Sequence, residues 1–198
     1  MGIRIIGGAI PSIVYASTAA QTATAQVFTF SAQAAGVAKA SRYLLVGVLA
    51  SAGSASVKID GVTMTALLAG EAYILAVPTG DTVTVTVTQT ISTTQTVTIT
   101  VTALYDIRSS TPYASSTSGA SPAVLDLNVA GRGIIWAQAN AGTAATCTWT
   151  GLNEDLDTTS SLTRSVATVA VTGSEAPRTV RCAYTASSFP RAIAFSWR

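Results

Sequence analysis

The residues placed closely enough to act together are acidic: Asn153-Glu154-Asp155-Leu156-Asp157. Clustered carboxylates can hold Ca²⁺ through oxygen ligands, but this run has no mid-loop glycine and no closing glutamate of the EF-hand kind. Glycoside hydrolysis needs two carboxyls on opposite sides of a sugar cleft, and neighbours on one loop do not supply that separation. The plain reading is a solvated loop, with a structural cation as the alternative. The chain has no histidine, which removes every mechanism that needs an imidazole. Cys147 and Cys182 stand alone, 35 positions apart (182 − 147), with no third cysteine. That ligand count excludes a zinc site, and no histidine is present to activate a thiolate. Both lie on alternating apolar stretches, Cys147 in phase with Trp149 and Cys182 with Val180 and Tyr184. They read as buried thiols acting as small hydrophobes, and a disulfide between neighbouring strands, formed in an oxidising setting, is the alternative. No glycine-rich phosphate loop or nucleophile elbow occurs. No catalytic, cofactor-binding or metal-ligating residue is therefore assigned, no cofactor is expected, and the chain is read as a protein without enzymatic activity.

The other candidates are arginines and aromatics. Nine arginines stand against two lysines, Lys39 and Lys58, and Arg164, Arg178, Arg181, Arg191 and Arg198 fall in the C-terminal third. Guanidinium forks suit subunit interfaces with acidic neighbours, and the plain alternative is a set of solvated strand-face arginines. Arg181 alternates out of phase with Cys182 and Tyr184 and should point away from the core. Trp136, Trp149 and Trp197 read as core residues. Tyr113, in a Pro/Ser-rich loop, is the aromatic expected at the surface.

The composition says what frame must hold these residues. The chain has 198 residues, 48% hydrophobic and only 10% charged, with a net charge of +2. Ordinary soluble domains carry about 25% charged residues. The low charge and the lack of a Lys/Arg cluster argue against a nucleic-acid partner. No apolar stretch is long enough for a membrane helix, since the run from Tyr43 to Val57 is broken by Gly and Ser, and no membrane partner is expected. Arg4 followed by Ile5–Val14 imitates a signal peptide, but Gly7, Gly8 and Pro11 interrupt the run. Residues 1–25, apolar through Ile3, Ile5, Ile6, Ile10, Ile13, Val14 and Tyr15, read instead as an extended N-terminal arm lying on a neighbour or on the domain itself. The protein is expected to be made in the cytoplasm.

Thr, Ser, Ala and Val favour strands over helices, and no amphipathic helix is apparent. Tyr43–Leu49 is apolar on both faces, as in a central strand covered on two sides. Asp60-Gly61 between Val57–Ile59 and Val62–Met64 is a two-residue hairpin signal. Residues 82–102 alternate Val/Ile with Thr and read as one long hairpin, aliphatic face inward and threonine face outward. No charge occurs between Asp81 and Asp106, so its edges should be covered by other strands or by a partner chain. Residues 108–122 read as a linker-like loop, followed by strands at 123–129, 133–139, 144–150, 164–172, 178–185 and 191–197. The expected fold is all-β, an antiparallel β-sandwich of jelly-roll type spanning 26–198, plus the arm.

An internal repeat is also visible. Val57, Ile59 and Gly61 align with Cys147, Trp149 and Gly151 at a constant offset of 90 (147 − 57, 149 − 59, 151 − 61), and each copy follows an apolar strand opened by an arginine, Arg42 or Arg132. Two pseudo-repeated halves, 42–107 and 132–198, would follow. The alternative is that any two sandwich hairpins look alike.

The stretches Ser41-Arg42-Tyr-Leu-Leu-Val-Gly-Val, Val57–Val62, Ala76-Val77-Pro78-Thr79-Gly80, Thr148-Trp149-Thr150-Gly151-Leu152-Asn153-Glu154 and Ser165-Val166-Ala167 resemble a loose group of small β-rich virion proteins of tailed bacteriophages. The resemblance covers roughly 26–198 and leaves the arm outside. It implies a structural virion subunit, most readily a capsid decoration (cement) protein that contacts the major capsid protein or other virion subunits. It further implies a homo-oligomer, with a trimer favoured, and a location in the virion. A tail or head-spike adhesin for a host receptor or glycan is the second expectation, with exposed aromatics near Tyr113 or Trp136.

Overall fold

A computed structural model describes residues 9–50, 54–90, 93–129, 132–142, 146–159, 163–171, 175–184 and 190–198. Arg4, Ile3, Ile5 and Ile6 of the expected arm lie outside the described residues. Among the described residues all the regular structure is strand, as expected for an all-β chain. The strands form two sandwiches in tandem, stacked back to back.

The first sandwich uses β1 (Ser12–Thr24), β2 (Val27–Ala34), β3 (Arg42–Ala50), β4 (Ser54–Ile59), β5 (Val62–Thr63), β6 (Thr65–Leu68), β7 (Ala72–Ala76), β8 (Thr82–Gln89) and β9 (Thr94–Tyr105). Its five-stranded sheet runs β1-β9-β3-β7-β6 and its four-stranded sheet β2-β8-β4-β5. The second uses β10 (Ala114–Ser118), β11 (Ala123–Val129), β12 (Gly133–Ala141), β13 (Cys147–Thr150), β14 (Asn153–Thr159), β15 (Thr163–Val171), β16 (Glu175–Tyr184) and β17 (Arg191–Trp197). Its sheets run β10-β17-β12-β15-β14 and β11-β16-β13.

These orders superpose when β1, β9, β3, β7 and β6 are matched with β10, β17, β12, β15 and β14, and β2, β8 and β4 with β11, β16 and β13. The ninety-residue offset falls on this match. Val57 and Cys147 both face a core, Ile59 and Trp149 likewise. Gly61 and Gly151 both take positive φ, +83° and +88°, a region that glycine enters without a Cβ penalty. With Asp60 also at φ 48°, Asp60-Gly61 makes the expected type I′ turn, which sets Ile59 opposite Val62.

Three apolar clusters hold the layers. Leu44, Val46 and Val48 of β3 join Phe28, Phe30, Val83, Val85, Val87, Val97, Ile99 and Val101 between the first two sheets. Ile135, Ala137 and Ala139 of β12 join Leu125, Leu127, Val180 and both cysteines between the second two. The opposite faces of the five-stranded sheets meet in a third cluster, in which Leu45, Ile74, Leu104 and Ile107 pack on Ile134, Trp136, Val166, Ile193, Phe195 and Trp197. At this seam Gly47 approaches so closely that a Cβ would collide with the Gln138 and Thr100 side chains. A two-faced apolar strand such as β3 is thus covered on both sides, as its sequence requires.

Several expectations change. Residues 82–102 are not a hairpin: β8 pairs with β2 and β4, whereas β9 pairs with β1 and β3. The two strands face each other across the core. A period of two fixes which side is buried, and it is satisfied equally by strands side by side and by strands face to face. The Thr face of β9 does not point outward either; Thr98, Thr100 and Thr102 are buried because the second sandwich covers them. Of the two placements expected for the arm, on a neighbour or on the domain itself, its residues 12–24 take the second: β1 pairs with β9 along its length. The linker-like loop 108–122 contains β10, which pairs with β17.

The first sandwich is pinned by Arg42. Its side chain is fully buried and donates to five backbone carbonyls: Val77 (2.7 Å), Ala35 (3.1 Å), Gly36 (2.8 Å), Thr79 (2.6 Å) and Gly80 (2.7 Å). These belong to the β2–β3 connection and to the turn after β7, so one guanidinium fastens three segments. Its counterpart at the ninety-residue offset, Arg132, is exposed. Arg42→Met leaves buried carbonyls without donors and should cost at least about 3 kcal/mol in chemical denaturation, because each stranded group costs about 1–3 kcal/mol. Arg42→Lys should not rescue it, since an ammonium cannot make the planar fork. Arg132→Met should stay within about 0.5 kcal/mol of the parent.

Candidate functional site

The acidic run is not a loop. It is β14, the edge strand of the second five-stranded sheet, paired with β15 and bulged between Glu154 and Leu156. Leu156 packs into the inter-sandwich cluster, which gives these residues a reason to be extended. Asp155 accepts from the Thr168 hydroxyl at 2.6 Å, and Asp157 accepts from the Cys147 amide at 3.3 Å. All three carboxyls titrate above their ordinary range, with burial the largest cause in each. The Asp157 charge adds to the rise at Glu154, while the Thr168 and Cys147 donors hold Asp155 and Asp157 back. Among the described residues no three Cys, Asp or Glu side chains gather as a metal site. As a charged rim, β14 instead opposes edge-to-edge pairing.

Two of the arginines expected at a subunit interface, Arg191 and Arg164, find partners within the chain. Arg191 forks Glu71 across the seam, with Nε at 3.2 and 3.1 Å and Nη2 at 2.9 Å from the carboxylate oxygens. Arg164 is buried in the same seam, donates to the Thr98 hydroxyl, and is lowered to about 10 by desolvation. Arg181 is exposed, as its phase predicts.

Cys147 and Cys182 are buried as expected, but they are bonded rather than free, with Cα atoms 6.2 Å apart. The register explains it: Cys147 lies opposite Tyr184 and Trp149 opposite Cys182, so the two cysteines are diagonal neighbours on the core face of one sheet. Sequence phase puts each thiol on that face, and pairing across a 35-residue separation becomes visible only with β13 and β16 aligned.

Trp136, Trp149 and Trp197 are core residues at 0%, 8% and 2% exposure. Trp136 therefore cannot serve the exposed-aromatic groove expected for an adhesin. The inner sheet of the first sandwich covers it, where it stacks with Phe195 at 6.1 Å between ring centroids. Tyr113 is 44% exposed, and it borders a cleft.

That cleft is built by the segment joining the two sandwiches. After β9 the chain turns at Asp106, which binds Ser41 and Lys39 at 2.6 and 2.5 Å and is held below the usual carboxylate range, first by the Lys39 bond and then by that of Ser41. Ile107 anchors in the seam. The chain is then strapped to β17: the Arg108 amide donates to the Arg198 carbonyl (2.9 Å), the Tyr113 amide to the Ser196 carbonyl (2.7 Å), and Trp197 Nε1 to the Ser110 carbonyl (3.3 Å). The result is a cavity of about 310 Å³ lined by Arg108, Ser109, Thr111, Pro112, Tyr113, Trp197 and Arg198. The Arg198 guanidinium lies 4.6 Å from the Tyr113 ring centroid, a cation–π distance. The lining carries two positive charges and no carboxylate side chain. Only Tyr113 was legible as exposed; Arg108 and Arg198 reach it through the pairing of 108–113 with β17, which no local pattern announces.

No protein-family model matches the chain, and no curated protein matches it. Among solved structures, an anti-sigma factor domain-containing protein aligns over 86% of this chain and 73% of its own, with 7% identity and a TM-score of 0.23. A likeness at that level carries no argument about fold or function. Among the described residues no helix is long and apolar enough to cross a membrane.

Two predictions arise from this geometry. A carboxyl whose folded-state pKa is raised favours folding as pH falls through that value and loses this contribution above it. Replacing Glu154, Asp155 and Asp157 with Gln, Asn and Asn should therefore raise the melting temperature at neutral pH, and the gain should shrink as pH falls through the range in which the native carboxyls take up protons. A drop at neutral pH would show instead that the charges hold a partner. Reducing Cys147–Cys182, or replacing both with alanine, should destabilise the second sandwich by about 3–4 kcal/mol, as expected for a loop of this length, with the loss read by denaturant titration with and without reductant.

Proposed function

We propose that this protein is a structural subunit of a tailed-bacteriophage virion, acting as a capsid decoration protein that stabilises the shell by contact. The observation that carries the reading is the character of the sheet edges. β1 ends its sheet after thirteen residues without a charged side chain, and Val14 on it and Ile10 just before it are 48% and 54% exposed. Solitary proteins blunt such rims with charge, as β14 does here. β10 (Ala114–Ser118) is a second neutral edge. Neutral edges and low charge suit a subunit whose rims are completed by neighbours, and the resemblance to phage virion proteins points to the same setting. A buried cystine suits a particle that persists outside the cell.

In this reading the subunit binds the assembled shell and not its dissociated parts, so it raises shell stability by mass action. The major capsid protein is its partner, and a trimer at threefold positions is its state. Cryo-imaging of virions from the phage that carries this sequence tests it. Density for the double sandwich at regular shell positions is the expected result, with Thr22→Lys on the β1 edge lowering occupancy while leaving the melting temperature of the free protein within about 2 °C, as for a surface substitution. Absence of the chain from purified particles would overturn the reading.

A further inference from the structure

The Tyr113 cleft has features that a purely mechanical subunit does not use, and we propose that it binds an acidic sugar unit, a pyranose carrying a carboxylate. The inference concerns the cleft alone and holds whether or not the protein sits on a shell.

Three observations select that chemistry. The first is charge. Arg108 and Arg198 both line the cavity, and the nearest acidic side chain along the strap, Asp106, is engaged by Lys39 and Ser41. Two guanidinium groups with no acidic side chain among the lining residues favour an anion, and the planar fork of arginine matches a carboxylate in two-point contact. The second is the aromatic wall. The Arg198 guanidinium lies over the Tyr113 ring, 4.6 Å from its centroid, which places the positive charge against the aromatic wall. Tyr113, 44% exposed as a residue, with Pro112 beside it, offers an apolar surface that the C–H face of a sugar ring can cover. The third is size and setting. The volume of about 310 Å³ lies at the small end of the roughly 300–1,000 Å³ usual for ligand sites, which suits one ring. Its polar lining, Ser109 and Thr111, can serve ring hydroxyls. The floor is rigid, since Trp197 is buried at 2% exposure and tied to Ser110, so a ligand meets a preformed surface.

Titration of the full chain with D-glucuronate, D-glucose and inorganic phosphate, followed by isothermal calorimetry and by NMR shifts of the tryptophan indoles, tests the proposal. Glucuronate should bind saturably in the millimolar range, with glucose and phosphate each at least about tenfold weaker. Tyr113→Ala and Arg198→Gln should each weaken glucuronate by at least about tenfold, while Tyr113→Phe should retain it. Arg108→Gln gives a third arm at an exposed site should Tyr113→Ala disturb the strap. Failure of glucuronate to bind, or binding indifferent to both Arg198→Gln and Arg108→Gln, would overturn the site. Phosphate equal to glucuronate would overturn the sugar assignment, and glucose equal to glucuronate would overturn the acidic one.

Discussion

The architecture rests on one seam, where the two five-stranded sheets cover each other's second face. At the centre of each of these sheets stands a strand that is apolar on both sides. β3 sends Leu44, Val46 and Val48 one way and Leu45 the other. β12 divides Ile135, Ala137 and Ala139 from Ile134 and Trp136 in the same manner. Such a sheet cannot stand at the end of a stack, because one apolar face would remain in water at about 25 cal/mol per Å². Two sandwiches of this design solve the problem for each other. The cost appears at the other end of the seam, where Thr98, Thr100, Gln138, Asn140 and Arg164 are buried and the Arg191–Glu71 fork lies between the sheets. That end carries the polar contacts between the sheets, Arg164 to Thr98 and Arg191 to Glu71, and the end with Trp136, Phe195 and Trp197 supplies the apolar area.

The two sandwiches share one strand order and use different fasteners. In the first, Arg42 collects five carbonyls from the β2–β3 connection and the turn after β7. In the second, the arginine at the same offset is exposed, and the position matching Val57 holds Cys147, bonded to Cys182. A guanidinium saturated by backbone oxygens and a covalent bridge each restrain one of the two sandwiches. One acts by native hydrogen bonds, the other chiefly by narrowing the unfolded ensemble.

Period-two patterning made the all-β class, most strand positions, the Asp60-Gly61 turn and the core tryptophans readable from sequence alone. Pairing was beyond it. Val83–Val87 and Val97–Val101 show the same alternation whether they lie side by side or face to face, and the choice of facing sheets depends on β1 and β3 claiming both edges of β9. The threonines of β9 look like a solvent face until a second sandwich is placed on them. The acidic run looks like a loop because charge dominates its composition, while Leu156 and the pairing with β15 make it an edge strand. The Cys147–Cys182 bond and the Arg108–Tyr113–Arg198 cleft are likewise products of register: each joins residues that are separated in sequence and become neighbours only when particular strands are aligned.

That dependence on register also explains where the cleft lies. Two sandwiches in one chain must be joined by a segment that leaves the last strand of one and enters the first of the next, and here it crosses the end of the seam. Its backbone donors find acceptors at the end of β17, at Ser196 and Arg198, and Ile107 drops into the apolar cluster. The side chains between these anchors have no sheet to join, so they project around the rim. A junction of this kind is held from both sides yet is not needed to complete either core, and its lining can change without unfolding a sandwich. Loops carried on a rigid scaffold are where recognition residues accumulate for that reason, and the segment from Arg108 to Tyr113 meets both conditions.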